Sequence, residues 1–370
     1  MSPSPSEGGQ PPYGRFFLPG PTEVHPDILA AQTRPMISHR GSGINALMDE
    51  LQAGLEQVFV TKRPVFIATC SATGLMEAAV RNAGRTRILS LVNGAFSERF
   101  AEIARACGFE VDEIDVGWGA AHDPKVLSER LGQRKYDAVT MAHSETSTGV
   151  LNDIRSLSAS AREHDDVLVL VDSVSSFAAA EIRPDDWGID FLLTGSQKAF
   201  ALPPGLAFGV ASERMLERAA GAKNKGYYFD LNVYQESWEK KQSPTTPGLS
   251  TMFGLQLQLR RMCAEGIESR WARHREMAET TWAWVERMRA HALGLEVAAP
   301  KGYRSPAVTA IRAPAGKTGP DVTKAMRERG WVVGGGYGKW KESTFRIGHM
   351  GDHTVEHLSE LLDVLSGVIR

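Results

Sequence analysis

Cysteine is scarce: Cys70, Cys107 and Cys263 are the only three in 370 residues. An odd, widely spaced set builds neither a disulfide framework nor a zinc knuckle and suits a reducing compartment, so a cytoplasmic location and no metal site are expected. Long apolar runs are missing as well. No segment approaches the roughly 18 uninterrupted apolar residues of a membrane-spanning helix, so no membrane partner is expected. The opening MSPSPSEGGQPPYG has neither the basic start nor the apolar stretch of a leader and reads as a flexible polar tail over residues 1–15. Charge of one sign is lacking, with 42 Lys and Arg against 44 Asp and Glu for a net −2. Nothing in that balance attracts a polyphosphate, which excludes nucleic acid as a dedicated partner. Also absent is a G-x-G-x-x-G fingerprint: the first strand-to-helix turn reads Cys70-Ser71-Ala72-Thr73-Gly74. A nicotinamide oxidoreductase is thereby disfavoured.

What remains is an ordinary globular composition, 42% apolar and 23% charged, in a chain long enough for about two domains at roughly 150 residues each. From about residue 45 to 210, short β-branched apolar runs alternate with helical patterns, the signature of an α/β fold whose mostly parallel sheet is covered on both faces. Seven strands are predicted, over residues 64–70, 87–92, 110–115, 136–142, 167–172, 189–194 and 206–210, with helices over 74–83 and 98–107 among the connections. After Gly248 a long amphipathic stretch, 251–292, breaks near Glu265–Gly266. It opens a smaller C-terminal α/β domain with strands over 307–312, 331–334 and 344–347 and helices over 320–329 and 353–368. The expected division is therefore 16–250 for the large domain, with the Pro- and Gly-rich segment 16–26 grouped there although its packing is open, and 251–370 for the small one.

Ligands of such sheets bind outside the carboxyl ends of the strands, and polar residues gather there. Ser71, Ala72 and Thr73 open a helix, either as an ordinary N-cap or as an anion site. Phe96 follows the second strand, to stack on a planar ring or simply to pack. The fourth strand is followed by His143-Ser144-Glu145-Thr146-Ser147-Thr148-Gly149, more polar than a plain turn requires. Asp172 ends the apolar VLVLV, where a carboxylate needs a partner because an unpaired charge in an apolar setting costs several kcal/mol. Gln197 and Lys198 follow the sixth strand. Lys198 is either a solvated helix-end charge or a desolvated amine able to form an imine. A lysine imine facing a carboxylate for a pyridinium nitrogen is the arrangement that pyridoxal phosphate requires.

With those residues in place, the chain resembles the class V aminotransferases among the fold type I pyridoxal phosphate enzymes, and is most similar to the alanine–glyoxylate and serine–glyoxylate (serine–pyruvate) branch. The resemblance runs from LPGPTEVHP at 18–26 to FRIGHMG at 345–351, and its specific pieces are HSETSTG, LVDSVSS, TGSQK and FRIG in that order. It implies pyridoxal 5′-phosphate as cofactor, with Lys198 as imine-forming lysine and acid/base and Asp172 on the ring nitrogen. Thr146 would bond the phenolic oxygen and Phe96 stack on the ring. Ser71, Ala72, Thr73 and Gln197 would hold the phosphate, together with Thr245 of SPTTP reaching over from a neighbouring subunit, so a homodimer with shared active sites is implied. Arg346 would grip the substrate α-carboxylate, a task suited to a planar fork of donors, with Gly20 beside it.

The resemblance further implies transfer of an amino group from alanine or serine to glyoxylate or pyruvate by ping-pong chemistry. His39 and Arg40 match the His-Arg pair of serine–glyoxylate, phosphoserine and phosphonate enzymes, so Arg40 faces a second substrate anion or sits in an ion pair near the entrance. The first choice makes the donor acidic, phosphorylated or a phosphonate: aspartate, phosphoserine or 2-aminoethylphosphonate. A cofactor-binding protein without turnover is a further alternative, although it needs neither Lys198 nor Arg346. The segment Gly334–Lys339 lacks the spacing of a phosphate loop and is expected to cover the substrate or to connect strands. The cysteine of a desulfurase has no counterpart in the matching place.

Overall fold

The computed structural model describes residues 12–370. The expected tail lies outside the described residues as far as residue 11, and its last residues are held in place: the Gly14 N–H donates to Glu23 at 2.7 Å.

The seven strands expected in the large domain form one sheet, while the short strands Ser144–Glu145 and Val150–Leu151 pair with each other. Its order is Val65–Ala68, Ala207–Ala211, Phe191–Gly195, Leu168–Asp172, Ala138–Ala142, Arg87–Val92 and Glu110–Asp115. Every neighbouring pair is parallel except those made by Ala207–Ala211, which runs antiparallel to both its neighbours. Because side chains alternate along a strand, the two faces feed two separate cores. Val65, Ile67, Leu89, Leu91, Val139, Met141, Val169 and Val171 point into one, where the helix Ser42–Phe59 also packs. Phe66, Ala68, Ile88, Ala138, Leu168, Leu170 and Phe191 point into the other, beneath helices Ala72–Ala83 and Ala95–Ala106. Burial on both faces is why these strands read as continuous apolar runs.

The smaller sheet is ordered Phe16–Phe17, Val332–Gly335, Thr344–Gly348, Val308–Arg312 and Glu296–Val297. It packs against helices Gly319–Glu328 and Val355–Ile369 in a third core.

Two boundaries differ from expectation. Phe16–Phe17 pairs in parallel with Val332–Val333, so the segment grouped with the large domain begins as an edge strand of the small sheet. The change of core also comes later than residue 251. Leu249–Glu265 packs against the large sheet through Met252, Phe253, Leu255 and Leu259. The chain then turns at Gly266, whose φ of 81° favours glycine, into Ile267–Met288. Ile267 and Trp271 still belong to the large core, whereas Met277, Trp284, Val285 and Met288 belong to the small one. A continuous helical periodicity marks where a helix lies but not which core it faces.

Candidate active site

The strands Ala138–Ala142, Leu168–Asp172 and Phe191–Gly195 end side by side, and their following residues wall a cavity of about 320 Å³. Gly20, Ser71, Ala72, Thr73, Phe96, Thr146, Asp172, Gln197 and Lys198 all line it. These residues lie far apart in the chain, and the sheet topology brings them together. A larger opening of about 490 Å³ lies at the other end of the sheet, beside Arg63, Arg162, Asp190 and Arg214, and none of the chemistry-bearing residues reach it.

Lys198 is buried, and its amine donates to the Pro19 carbonyl of the N-terminal segment. Its pKa is lowered to about 8, chiefly by burial and further by the charges of Arg346 and Arg99, against the opposing charge of Asp172. At neutral pH an appreciable share of the amine is therefore unprotonated and nucleophilic. Room for this side chain comes from Gly20, where a Cβ would lie 2.4 Å from the Lys198 Nζ.

Asp172 is pushed up to about 7, chiefly by burial and further by Glu145, against the Val174 N–H bond and the charges of Lys198 and Arg99. That bond, 2.7 Å to Oδ1, is its one hydrogen bond with a described residue, and no ion pair with one forms. A carboxyl so poised ionises when a cation is placed beside it, as a protonated ring nitrogen would be.

Ser71 sits at the N-cap of Ala72–Ala83, yet its hydroxyl makes no capping bond. The Gly74 N–H is taken by the Ser71 carbonyl, but the Ala72 and Thr73 N–H groups and the hydroxyl are left for an anion, which favours the second reading of this turn. Thr146 and Ser175 share a 2.5 Å hydroxyl contact at the opposite wall. A helix start open to phosphate, a carboxyl without an ion-pair partner, an aromatic wall and a lysine of lowered pKa together fit pyridoxal phosphate.

Arg346 lies just outside the lining, on Thr344–Gly348. Its Nε donates to the Gly335 carbonyl at 2.7 Å and its Nη1 to the Thr146 carbonyl at 3.1 Å, which fixes the plane of the guanidinium. Burial lowers its pKa to about 10, so it stays charged at neutral pH.

His39, Arg40 and Thr245 are not brought into this cavity. The Arg40 side chain is exposed and bonds the His39 carbonyl at 2.9 Å, while the Thr245 carbonyl accepts from Ser243 in a separate loop.

Other residues of the site escape a linear reading. Glu145 is wholly buried and accepts from the Phe96 and Ser97 N–H groups and from Ser97 and Ser147 hydroxyls. It caps Ala95–Ala106 from a distant loop and so aims Phe96. Gly94 is required there, because a Cβ would meet the Glu145 Cγ at 2.4 Å. Arg99, one turn after Phe96 on the same helix face, lines the cavity, as do Val174, Ser175 and Tyr337. Only the three-residue spacing from Phe96 hinted at Arg99.

Tyr337, from the glycine-rich loop of the small domain, accepts a bond from Arg99 and leans on Phe96 with ring centroids 5.3 Å apart. That loop lies over the helix bearing Phe96, which agrees with a covering rather than a phosphate-binding role. Cys70, beside the phosphate turn, has its thiol pushed up to about 11 by burial, a poor nucleophile.

Residues 23–337 match the family described as aminotransferase class-V. The chain is 37% identical to an aminotransferase of Methanocaldococcus jannaschii over 91% of this chain and 87% of that one. It is 33% identical to the serine–glyoxylate aminotransferase of Arabidopsis thaliana, over 95% of this chain and 88% of the other. The crystal structure of an alanine–glyoxylate aminotransferase from Nostoc sp. superposes with a TM-score of 0.91 at 29% identity, covering 100% of this chain and 98% of that one.

Proposed function

The chain belongs to the class V aminotransferases, with their fold type I architecture, and on that premise we propose that it moves an amino group from alanine or serine to glyoxylate or pyruvate using pyridoxal 5′-phosphate. The observation that carries the proposal is the placing of Lys198 and Asp172 in one buried cavity, each with its charged form disfavoured. The branch to which the substrates are assigned rests on relatives named for glyoxylate as acceptor, with serine or alanine as donor.

When bound, the cofactor supplies the carbonyl that exchanges amino groups and a ring that withdraws electrons from the substrate carbon. Ser71, Ala72, Thr73 and Gln197 hold its phosphate at the helix start, Phe96 covers one face of the ring and Asp172 takes the ring nitrogen. Lys198 carries the proton: its pKa of about 8 lets Nζ both accept and return it at neutral pH. Arg346 fixes the substrate carboxylate with the N–H groups that Gly335 and Thr146 leave free, and so sets the direction of the α-hydrogen. Tyr337 adds a second aromatic wall to the cavity beside Phe96.

The active unit is a homodimer in the cytoplasm, in which Thr245 of one copy reaches the phosphate held by the other. Its place outside the cavity of its own chain supports this reading. No helix among the described residues is long and apolar enough to cross a membrane.

The test is the visible spectrum of the purified protein with pyridoxal phosphate while alanine, serine, aspartate and phosphoserine are added singly, followed by glyoxylate. A band that bleaches with alanine or serine and returns with glyoxylate is expected, and Lys198→Ala removes both the band and turnover. A protein that stays colourless, or a Lys198→Ala variant that transaminates at the normal rate, overturns the assignment.

A further inference from the structure

The cavity holds a cationic side chain to which the proposed mechanism gives no role. Arg99 lines it beside Lys198, and Arg346 backs it. Glu145 offers no compensation, since its oxygens are taken by N–H and hydroxyl donors.

Arg99 forms no ion pair with any described residue. Its Cζ lies 4.9 Å from the Phe96 ring centroid, and its Nη2 donates to the Tyr337 hydroxyl at 3.2 Å. The rest of its fork is unengaged, and the hydroxyl that accepts from it keeps a proton to donate. Its charge is felt at Lys198 and at Asp172, which places it within the field of the reacting groups. Arg346 also lies near Tyr337, with its Cζ 5.5 Å from that ring. Two guanidiniums thus lie near one tyrosine, one for the α-carboxylate and one without an ion-pair partner among the described residues.

We propose that Arg99, with the Tyr337 hydroxyl, is the specificity-determining site for the distal carboxylate of an acidic amino donor such as aspartate, which the enzyme accepts besides alanine and serine. The proposal rests on the aminotransferase reading above. It moves the second anion from Arg40, which is exposed and bonded to its own main chain, to a residue inside the cavity. The reaction balances without an oxidant: aspartate and glyoxylate exchange amino group for oxygen to give oxaloacetate and glycine. A bidentate fork suits a carboxylate, and a planar cation already stacked on an aromatic loses little freedom on binding it.

The experiment uses the holoenzyme and its Arg99→Gln and Arg99→Lys variants, with glyoxylate as acceptor and aspartate or alanine as donor. The ratio of kcat/KM for aspartate to that for alanine is expected to fall by about tenfold or more in Arg99→Gln, the loss of a hydrogen bond to a charged group. Arg99→Lys, which keeps the charge without the fork, is expected to fall less. Calorimetric titration of the holoenzyme with succinate, a dicarboxylate that cannot react, should show the same weakening in Arg99→Gln. An unchanged ratio, with both donors slowed alike, makes Arg99 a support for Tyr337 and Phe96 and overturns the proposal. So does a wild-type enzyme that bleaches with alanine but neither reacts with aspartate nor binds succinate. Failure to bleach with any donor refutes instead the reading on which the proposal rests.

Discussion

Replacing Asp172 by asparagine should affect the protein with and without cofactor in opposite directions. The carboxyl of the folded chain is raised from 3.8 to about 7. At about 1.4 kcal/mol for each tenfold change in proton concentration, holding it ionised above pH 7 costs about 4 kcal/mol relative to the unfolded chain. Below pH 4 both states carry the proton and the cost vanishes. Between these limits the folded state keeps a proton that the unfolded state has released, so stability falls as pH rises towards 7.

Asparagine does not titrate, and its amide oxygen can keep the Val174 bond. The Asp172 charge also favours the protonated form of Lys198, so only part of the cost is recovered, about 2 kcal/mol. Cofactor-free Asp172→Asn should therefore exceed wild type in urea midpoint at pH 8 and match it below pH 4. Titrating groups that are not coupled to Asp172 are common to the two proteins and cancel in the comparison. With cofactor the order reverses, because an amide cannot pair with a protonated ring nitrogen, and pyridoxal phosphate should bind the variant more weakly at pH 8. Equal midpoint differences at both pH values, or a variant less stable than wild type at pH 8 without cofactor, would refute the burial argument for this carboxyl.

Arg346→Ala should raise KM for the amino donor roughly 10- to 150-fold, the equivalent of about 1.5–3 kcal/mol for a hydrogen bond to a charged group. Steady-state kinetics with unchanged KM would remove it from the site. Gly20→Ala should cost about 1–3 kcal/mol in backbone strain at a φ of +103° and also displace the tip of Lys198. The signature is a lowered kcat and a shifted visible band, and wild-type values for both would show that the segment yields freely.

The sheet was legible because its pattern is local: VLVLV declares a strand buried on both faces. The strand ends marked Asp172 and Lys198 as candidates, but a lone lysine there also reads as a solvated helix-end charge, and the roles given to the two came from the family resemblance. The pairing of Phe16–Phe17 with Val332–Val333 had no such signal, since two residues carry no period and the partner is remote. Glu145 lay in plain view within HSETSTG, but the same polar run is equally consistent with a ligand contact. That it caps a helix from another loop depends on the third dimension. Arg99 carries no sequence signal that separates it from other charged helix positions, because its place in the site depends on the remote loop that brings Tyr337 to it. The core change inside Ile267–Met288 was hidden for the reason that makes it a stiff connector: one unbroken helix serves both sides.

The contact between Pro19 and Lys198 sets an order of assembly. The residues that roof the Lys198 amine precede the whole large sheet in the chain, yet Phe16 finds its strand partner only at Val332, 332 − 16 = 316 positions later. Loop-closure entropy must be met before so remote a pairing is rewarded. A nascent chain can thus complete the large sheet, and bring Asp172 and Lys198 together, while the amine still lacks its ceiling. A segment made before the large sheet is then seated after it, once Val332 is available to pair.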